Sequence, residues 1–338
     1  MKILLIGGTG TISGAIAKLL AQRGDDLTLL NRGNRAEDIP AGAKVICCDI
    51  NNEALVAEKL AGECFDAVCQ FIGYKPEHVQ RDYRLFAGKT KQYIFISSTA
   101  AYQKPVVNYR MTEETAFCNP YWDYAREKAA CEEFLMQKYR EEGFPVTIVR
   151  PSHTYGERSV PLAVRGKKGS WQILKRMMEG KKVIIHGDGT NLWTLTHNSD
   201  FAKGFVGLIG NPVALGEAFH ITSDESVTWN QVYQIVADRL NVPLHAYHVS
   251  TDFLSAVNPP HDYWGSLMGD KANSVVFDNT KLKKAVPGFQ ATVSVAEGIA
   301  NTVDYVLAHP QCQADDPEFD DWCDKVINAL ENAKKYLQ

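Results

Sequence analysis

What this chain lacks narrows its function before any motif is considered. It carries no long run of basic residues and its net charge is only −4, so general binding to nucleic acid or to an anionic membrane surface has no electrostatic support. It has no apolar stretch long enough to span a bilayer, and a strand read from residue 2 leaves no room for a signal peptide, so a cytoplasmic protein is expected. The eight cysteines include no C-x-x-C pair, which argues against a zinc knuckle or a disulfide framework and for reduced thiols. No trio of histidines has metal-ligand spacing, and no metal is expected. What remains is 338 residues, 45% hydrophobic, enough for a sizeable core in one large domain or two intimately joined ones.

The N-terminus is informative. An apolar run from Lys2 to Ile6 leads into Gly7-Gly8-Thr9-Gly10, and an alanine-rich amphipathic helix from Ile12 to Arg23 follows, stopped by Gly24. Strand, glycine turn and helix in that order make a phosphate site: Gly7 permits the tight turn, and Gly10 lets a pyrophosphate approach the unpaired N–H groups of the helix N-terminus. The third glycine of the fingerprint is missing, because position 13 is serine, so the helix must pack around a hydroxymethyl group.

Strands are expected at 2–6, 27–31, 44–48, 66–72, 92–98 and 145–150, with helices near 12–23, 53–61, 77–87 and 121–142. Such alternation implies an α/β fold of the Rossmann type, a doubly wound parallel sheet that binds ligands beyond the carboxyl ends of its strands. After Pro151 the pattern is mixed: a helix near 170–179, a strand at 182–186, a Gly187-Asp188-Gly189 turn, a strand near 192–196 and a helix at 199–209. The expected organisation is a dinucleotide-binding domain over 1–155, with segments near 190–223 and 273–309 returning to it, a smaller mixed α/β substrate-binding lobe mainly over 156–310, and a C-terminal helical appendage over 311–338. The acidic stretch Asp315 to Asp324 reads as the solvated face of a packing helix.

Tyr124 and Lys128, spaced Tyr-x-x-x-Lys on an expected helix, share a face. An ammonium beside a phenol of ordinary pKa about 10 favours the ionised form and makes a usable proton acceptor nearer neutrality. Ser97-Ser98-Thr99 ends the strand upstream of them. With a bound dinucleotide to exchange hydride, these residues describe an alcohol/ketone oxidoreductase. Each also has a structural alternative: Tyr124 as a half-buried helix aromatic, Lys128 as a solvated charge, Ser98 as a strand-end cap.

The combination of Gly7-Gly8-Thr9-Gly10-Thr11-Ile12, Asp49, Ser97-Ser98, Tyr124-x-x-x-Lys128 and Arg150-Pro151 resembles the extended or atypical short-chain dehydrogenase/reductases, broadly the NAD-dependent epimerase/dehydratases, as far as about residue 309. Asn31-Arg32-Gly33 and Ile72-Gly73-Tyr74 also look like the branch that includes chloroplast stem-loop RNA-binding proteins. The resemblance implies that Tyr124 exchanges a proton with a substrate hydroxyl or ketone, that Lys128 holds the nicotinamide ribose and lowers the Tyr124 pKa, and that Ser98 binds the reacting oxygen. It implies a cofactor site of Gly7, Gly10, Thr11, Ile12, Asn31, Arg32, Asp49, Ile50, Gly73, Tyr124, Lys128, Pro151 and His153. Asp49 matches the residue that contacts adenine, with a helix N-cap as its structural alternative. The second strand ends in Asn31-Arg32, with Arg35 nearby, instead of an acid; a neutral amide and two guanidiniums suit NADP(H) over NAD(H).

Departures from the family bear on the substrate. Where 4,6-dehydratases carry an Asp-Glu pair, this chain has Thr99-Ala100, which disfavours elimination of water. Where nucleotide-sugar enzymes place an arginine after a Gly-Asp-Gly turn, it has Trp193, which can stack on a sugar but cannot pair with phosphate, unless Arg158, Arg165, Lys167 or Lys168 supplies the charge. His153, where relatives commonly put an asparagine, either orients substrate, acts as an extra acid/base, or packs; His197 and His220 are read as packing residues. Thr99, His153 and Trp193 are thus the substrate candidates, and a small sugar-like polar molecule is the expected substrate. Relatives often dimerise through the helices at 77–87 and 121–142, so a homodimer is implied, with Phe134 and Leu135 either in that interface or against the sheet. The other reading is a non-catalytic dinucleotide sensor or an RNA-binding protein on the same fold.

Overall fold

The computed structural model describes residues 1–257 and 259–338. Seven parallel strands form one sheet in the spatial order Glu217–Ile221, Val146–Pro151, Tyr93–Ile96, Ala67–Gln70, Lys2–Ile6, Asp26–Asn31 and Lys44–Cys47. The inner strands read as unbroken apolar runs because both faces are covered: Ile3, Leu5 and Cys69 pack into one layer, while Leu4, Ile6, Val68 and Phe95 pack into the other. The edge strand Lys44–Cys47 is largely exposed. This is a Rossmann-type doubly wound sheet. Strand order reverses at Lys2–Ile6, whose neighbours are Asp26–Asn31 on one side and Ala67–Gln70 on the other. Such a switch point opens a crevice at the strands' carboxyl ends, and Gly7, Asn31 and Ile72 stand around it.

Two segments from the C-terminal half complete the sheet's surroundings. Glu217–Ile221 adds the last strand beside Val146–Pro151, and the helix Asn198–Leu208 packs its Phe201, Ala202 and Phe205 against the same layer as Ile16 and Leu20. The helices Trp171–Met178, Trp229–Leu240 and Val295–Ala308 surround a separate core of Trp193, Trp229, Tyr233, Leu267 and Ile299. The single strand expected near 192–196 is split: Leu192–Trp193 pairs antiparallel with Val227–Thr228, and Leu195–His197 pairs parallel with His153–Tyr155. Thr194 sits at the change of partner, its hydroxyl 3.0 Å from that of Ser226 and its carbonyl accepting from Ser152 Oγ at 3.2 Å.

The helix Pro317–Leu337 buries Phe319, Trp322, Cys323, Val326 and Ile327 in that second core. Asp320 and Asp324 of this helix flank the buried Arg176 guanidinium at 2.6 and 2.7 Å, and Asp315, just before it, meets Lys175 at 2.9 Å. Leu135 faces inward on Asp123–Glu142, fully buried against Cys131 and Phe144, whereas Phe134 stands edge-on to Tyr83. Among the described residues no helix is long and apolar enough to cross a membrane.

Candidate active site

The glycine turn is closed by the residue that departs from the fingerprint. Ser13 Oγ donates to the Gly7 carbonyl at 2.6 Å and accepts from the Gly10 amide at 2.8 Å, so the hydroxymethyl group staples the turn instead of obstructing it. Gly7 has φ +82°, and a Cβ there would lie 2.6 Å from Ile72 Cγ2; both facts demand glycine. Asn31 Oδ1 accepts from the Gly8 amide at 2.9 Å, while its Nδ2 is buried without a partner. Arg35 Nη1 donates to the Thr9 carbonyl at 3.2 Å.

These groups line a cleft of about 530 Å³ with Gly7, Gly10, Asn31, Arg32, Asp49 and Ile50 on its walls. A helix N-terminus, a glycine cradle and an orphaned amide donor suit a dinucleotide. Asp49 is exposed and accepts from the Asn51 amide at 2.9 Å; the cap of the next helix is Asn52, not Asp49. Thr11 and His153 line an adjoining cleft of about 700 Å³. Ile12 turns its side chain toward the apolar layer under the sheet, which leaves only its backbone for a ligand, and Pro151 is buried at its strand end.

Lys128 is almost completely buried and donates to the carbonyls of Gly73 at 2.6 Å and Ile96 at 2.7 Å. Burial lowers its pKa to about 8. Its ammonium stands 5.8 Å from the Tyr124 ring centre. The expectation that Lys128 brings the phenol toward neutrality is not met in this arrangement: burial pushes Tyr124 up to about 12, and the hydrogen bond with Ser98 offsets only part of that. The physical reason is that Lys128 is committed to two backbone oxygens, so removal of water dominates at the phenol. Ser98 Oγ also accepts from the Ala100 amide at 3.1 Å, so it caps a short turn as well as facing Tyr124. Thr99 and Ala100 are buried.

Trp193 departs from its expected place. Its ring is 2% exposed and stacks on Trp229 with centroids 5.9 Å apart, so it offers no open face for a sugar. The aromatic beside Tyr124 is Trp122 instead, 4.8 Å between ring centres, and Tyr74 is a second at 6.5 Å. His153 has a buried Nδ1 without a partner, and burial, then the charges of Lys271 and Arg165, drive its pKa well below the usual range. His197 caps the helix that follows it, and His220 is buried against the Tyr102 hydroxyl. Three residues at this site escaped the sequence reading: Trp122, Asp270 and Lys271. Trp122 lies two residues before Tyr124 and could have been found by proximity; the other two come from a distant segment with no motif.

Comparison with known proteins places this geometry in context. A family model described as the NAD dependent epimerase/dehydratase family matches residues 3–222. The chain is 28% identical over 243 residues to the chloroplast stem-loop binding protein of 41 kDa b of Arabidopsis thaliana, covering 68% of this chain and 60% of that protein. It is 26% identical over 195 residues to a UDP-glucose 4-epimerase of Mycolicibacterium smegmatis, covering 57% of this chain and 56% of that one. The matches thus span little more than half the length of these relatives. Among solved structures, an epimerase of Methanothermobacter thermautotrophicus superposes with a TM-score of 0.75 at 16% identity, covering 91% of this chain and 93% of that one. A UDP-glucuronic acid 4-epimerase of Bacillus cereus in complex with UDP-glucuronic acid and NAD gives 0.72 at 18%, covering 91% and 99%. At such identities these structures speak for the fold.

Proposed function

The chain belongs to the NAD dependent epimerase/dehydratase family, and from that premise we propose that it is a nicotinamide-dinucleotide-dependent oxidoreductase acting at a hydroxyl or ketone carbon of a sugar-like polar substrate. The observation that carries this reading is the meeting of Ser98, Tyr124 and the buried Lys128 beside the glycine cleft. Gly7, Gly10 and Thr11 would hold the pyrophosphate, and Asn31 Nδ2 would find its missing acceptor on the adenosine half. A dinucleotide held there would supply or accept the hydride. The chain's own residues handle the proton. Ser98 donates to the substrate oxygen, and Tyr124, held protonated by its dry surroundings, is poised to give a proton to a carbonyl oxygen as it is reduced. The reverse direction needs a base, and Lys128, held by two carbonyls, would have to approach the phenol for Tyr124 to become one.

Thr99 and Ala100 bring neither acid nor base to the position after Ser98, which argues against a 4,6-dehydratase. Arg32 and Arg35 on the adenosine side of the cleft, with no acid at the end of the second strand, favour NADP(H) over NAD(H). The test is to denature freshly purified protein, identify any released nucleotide by mass spectrometry, and titrate the stripped protein with NADH and NADPH. Stoichiometric retained NAD(H) points to an internal oxidation–reduction cycle, as epimerisation requires, and removes the arginine argument. Reversible NADPH binding points to a reductase. A protein that binds neither sinks the oxidoreductase reading.

One observation favours a second reading. The relative from Arabidopsis carries stem-loop binding in its name, so a dinucleotide-sensing or RNA-binding role on this fold is the alternative. The net charge of −4 opposes it, and salt-dependent anisotropy with a stem-loop RNA decides between the two.

A further inference from the structure

Asn119 is 4% exposed, and its side chain reaches three separate pieces of the chain. Nδ2 donates to the Ala100 carbonyl at 2.7 Å and to the Gly269 carbonyl at 2.8 Å, and Oδ1 accepts from the Tyr121 amide at 3.1 Å. Both N–H donors of the amide are therefore engaged by backbone oxygens. The bond from Tyr121, two residues on, is the local turn that asparagine favours, and it fixes which way the amide points. The backbone here is held as well: Arg126 Nη1 donates to the carbonyls of Asn119 at 3.2 Å and Pro120 at 2.9 Å.

Each partner leads to a different part of the site. Ala100 lies in the short turn Thr99–Ala101, and its amide donates to Ser98 Oγ at 3.1 Å, so Ser98 holds one end of this residue and Asn119 the other. Tyr121 leads into the helix Asp123–Glu142, on which Tyr124 meets Ser98. Gly269 belongs to Trp264–Lys271, a π-helix 150 residues further along the chain, and π-helical turns are rare and gather at functional sites. Glycines let that helix approach the segment before Tyr124. A Cβ on Gly265 would lie 2.2 Å from Trp122 Cδ1, and one on Gly269 would lie 3.1 Å from Trp122 Cβ and 3.2 Å from Tyr121 Cβ. Trp264 stands edge-on to Tyr121 with 5.5 Å between ring centres.

We infer that Asn119 is a positioning residue for the reaction: it sets the distance between Ser98 and Tyr124 and ties that distance to the seating of the π-helix Trp264–Lys271 on Tyr121 and Trp122. The inference rests on the oxidoreductase reading for the roles of Ser98 and Tyr124, and on the hydrogen bonds alone for that of Asn119. Misplacement of reacting groups by about 1 Å can cost about 10²-fold in rate, which gives a buried amide that spans both groups a use beyond packing. The residue type follows from its targets. Both are carbonyl oxygens, so aspartate, of the same shape, would set oxygen against oxygen.

The experiment reads Tyr124 itself and needs no substrate. The full chain is made with tyrosine carrying carbon-13 at Cζ, the Tyr124 signal is assigned by its loss in Tyr124→Phe, and Ser98→Ala marks where that signal falls once the serine hydroxyl is gone. Asn119→Ala should move the signal most of the way to the Ser98→Ala position with circular dichroism unchanged. Asn119→Asp should move it at least as far. Gly269→Ala keeps Asn119 and every polar group and presses only on its neighbours Tyr121, Trp122 and Asn119 Oδ1, so it should move the signal part of the way. A role in packing alone would lower the unfolding temperature of Asn119→Ala and leave the Tyr124 signal at its wild-type position, which overturns the inference. Where neither Asn119 variant folds, Gly269→Ala decides, and an unmoved signal in it overturns the inference equally. The nucleotide titration stands apart from these signals: a chain that binds neither NADH nor NADPH fails the oxidoreductase reading, while a displaced Tyr124 signal still establishes that Asn119 positions the pair.

Discussion

Arg150 and Glu132 form a forked ion pair in the interior, Nε 3.0 Å from Oε1 and Nη2 2.6 Å from Oε2, with side chains 8% and 3% exposed. Arg150 also donates to the Tyr102 hydroxyl at 2.9 Å and the Glu113 carbonyl at 2.8 Å. The pair ties the helix that carries Tyr124 and Lys128 to the strand that ends at Pro151, so it holds two sides of the site together.

Removing one partner leaves the other charged and buried. Glu132→Ala should therefore destabilise the chain by about 3–5 kcal/mol, and Glu132→Gln, which keeps an acceptor oxygen, by less. Urea denaturation of the three proteins checks this. A loss below about 1 kcal/mol for the alanine variant would show that the pair is as weak as a surface bridge.

Ser13 makes two hydrogen bonds that hold the glycine turn. Ser13→Ala leaves the Gly7 carbonyl and the Gly10 amide without these partners, at a cost of about 1–3 kcal/mol. Restoring the fingerprint with Ser13→Gly should cost more, because helical glycine adds about 0.5–1 kcal/mol. Both variants should bind dinucleotide more weakly in a fluorescence titration. Tighter binding by Ser13→Gly would show that the serine is a mere substitute for glycine.

The fold was legible because its inner strands are unbroken apolar runs punctuated by glycine turns and amphipathic helices, and a run such as Lys2–Ile6 has few other ways to be buried. The site was legible where its residues follow each other along the chain, as in Gly7 to Gly10 or Tyr124 to Lys128. It was not legible where tertiary structure decides. Trp193 follows a glycine turn and reads as a substrate platform, yet on its two-residue strand Leu192 takes the more exposed side and the indole points into the core beside Trp229. Trp122 and Lys271 are over a hundred residues apart, and no spacing rule joins them. The serine at position 13 reads only as a group to be packed around until its hydrogen bonds are seen.

Lys128 gives stability a pH dependence with a definite sign. Its folded pKa is lowered from 10.5 to about 8 by burial, so between those values the unfolded chain binds more protons than the folded one. Stability contributed at this residue is therefore lowest below pH 8, rises as pH climbs from 8 to 10.5, and is level above. The whole rise is at most about 3.5 kcal/mol. Lys128→Met should remove it: the difference in denaturation free energy between wild type and variant should change across that window and be flat below it. A difference that is constant with pH would mean that the ammonium is not desolvated in the apo protein.

Tyr124 is the residue on which the proposed chemistry turns. Its phenol is held near 12 by burial, with Ser98 as its hydrogen-bonding neighbour, so at neutral pH it is an acid that needs no activation to protonate a carbonyl oxygen. Tyr124→Phe keeps the ring that neighbours Tyr74 and Trp122 and deletes only the hydroxyl. Turnover should fall by about 10²–10⁴-fold, with dinucleotide affinity and fold unchanged. Ser98→Ala should cost less, since it removes one donor to the reacting oxygen and leaves the proton source. If carbonyl reduction by the wild type proceeds with constant kcat from pH 7 to 10, the acid is a group titrating above that range, as Tyr124 does. A decline centred near pH 8 would assign the proton to Lys128 instead, whose pKa is lowered to about that value. A Tyr124→Phe protein with full activity removes the phenol from the mechanism altogether.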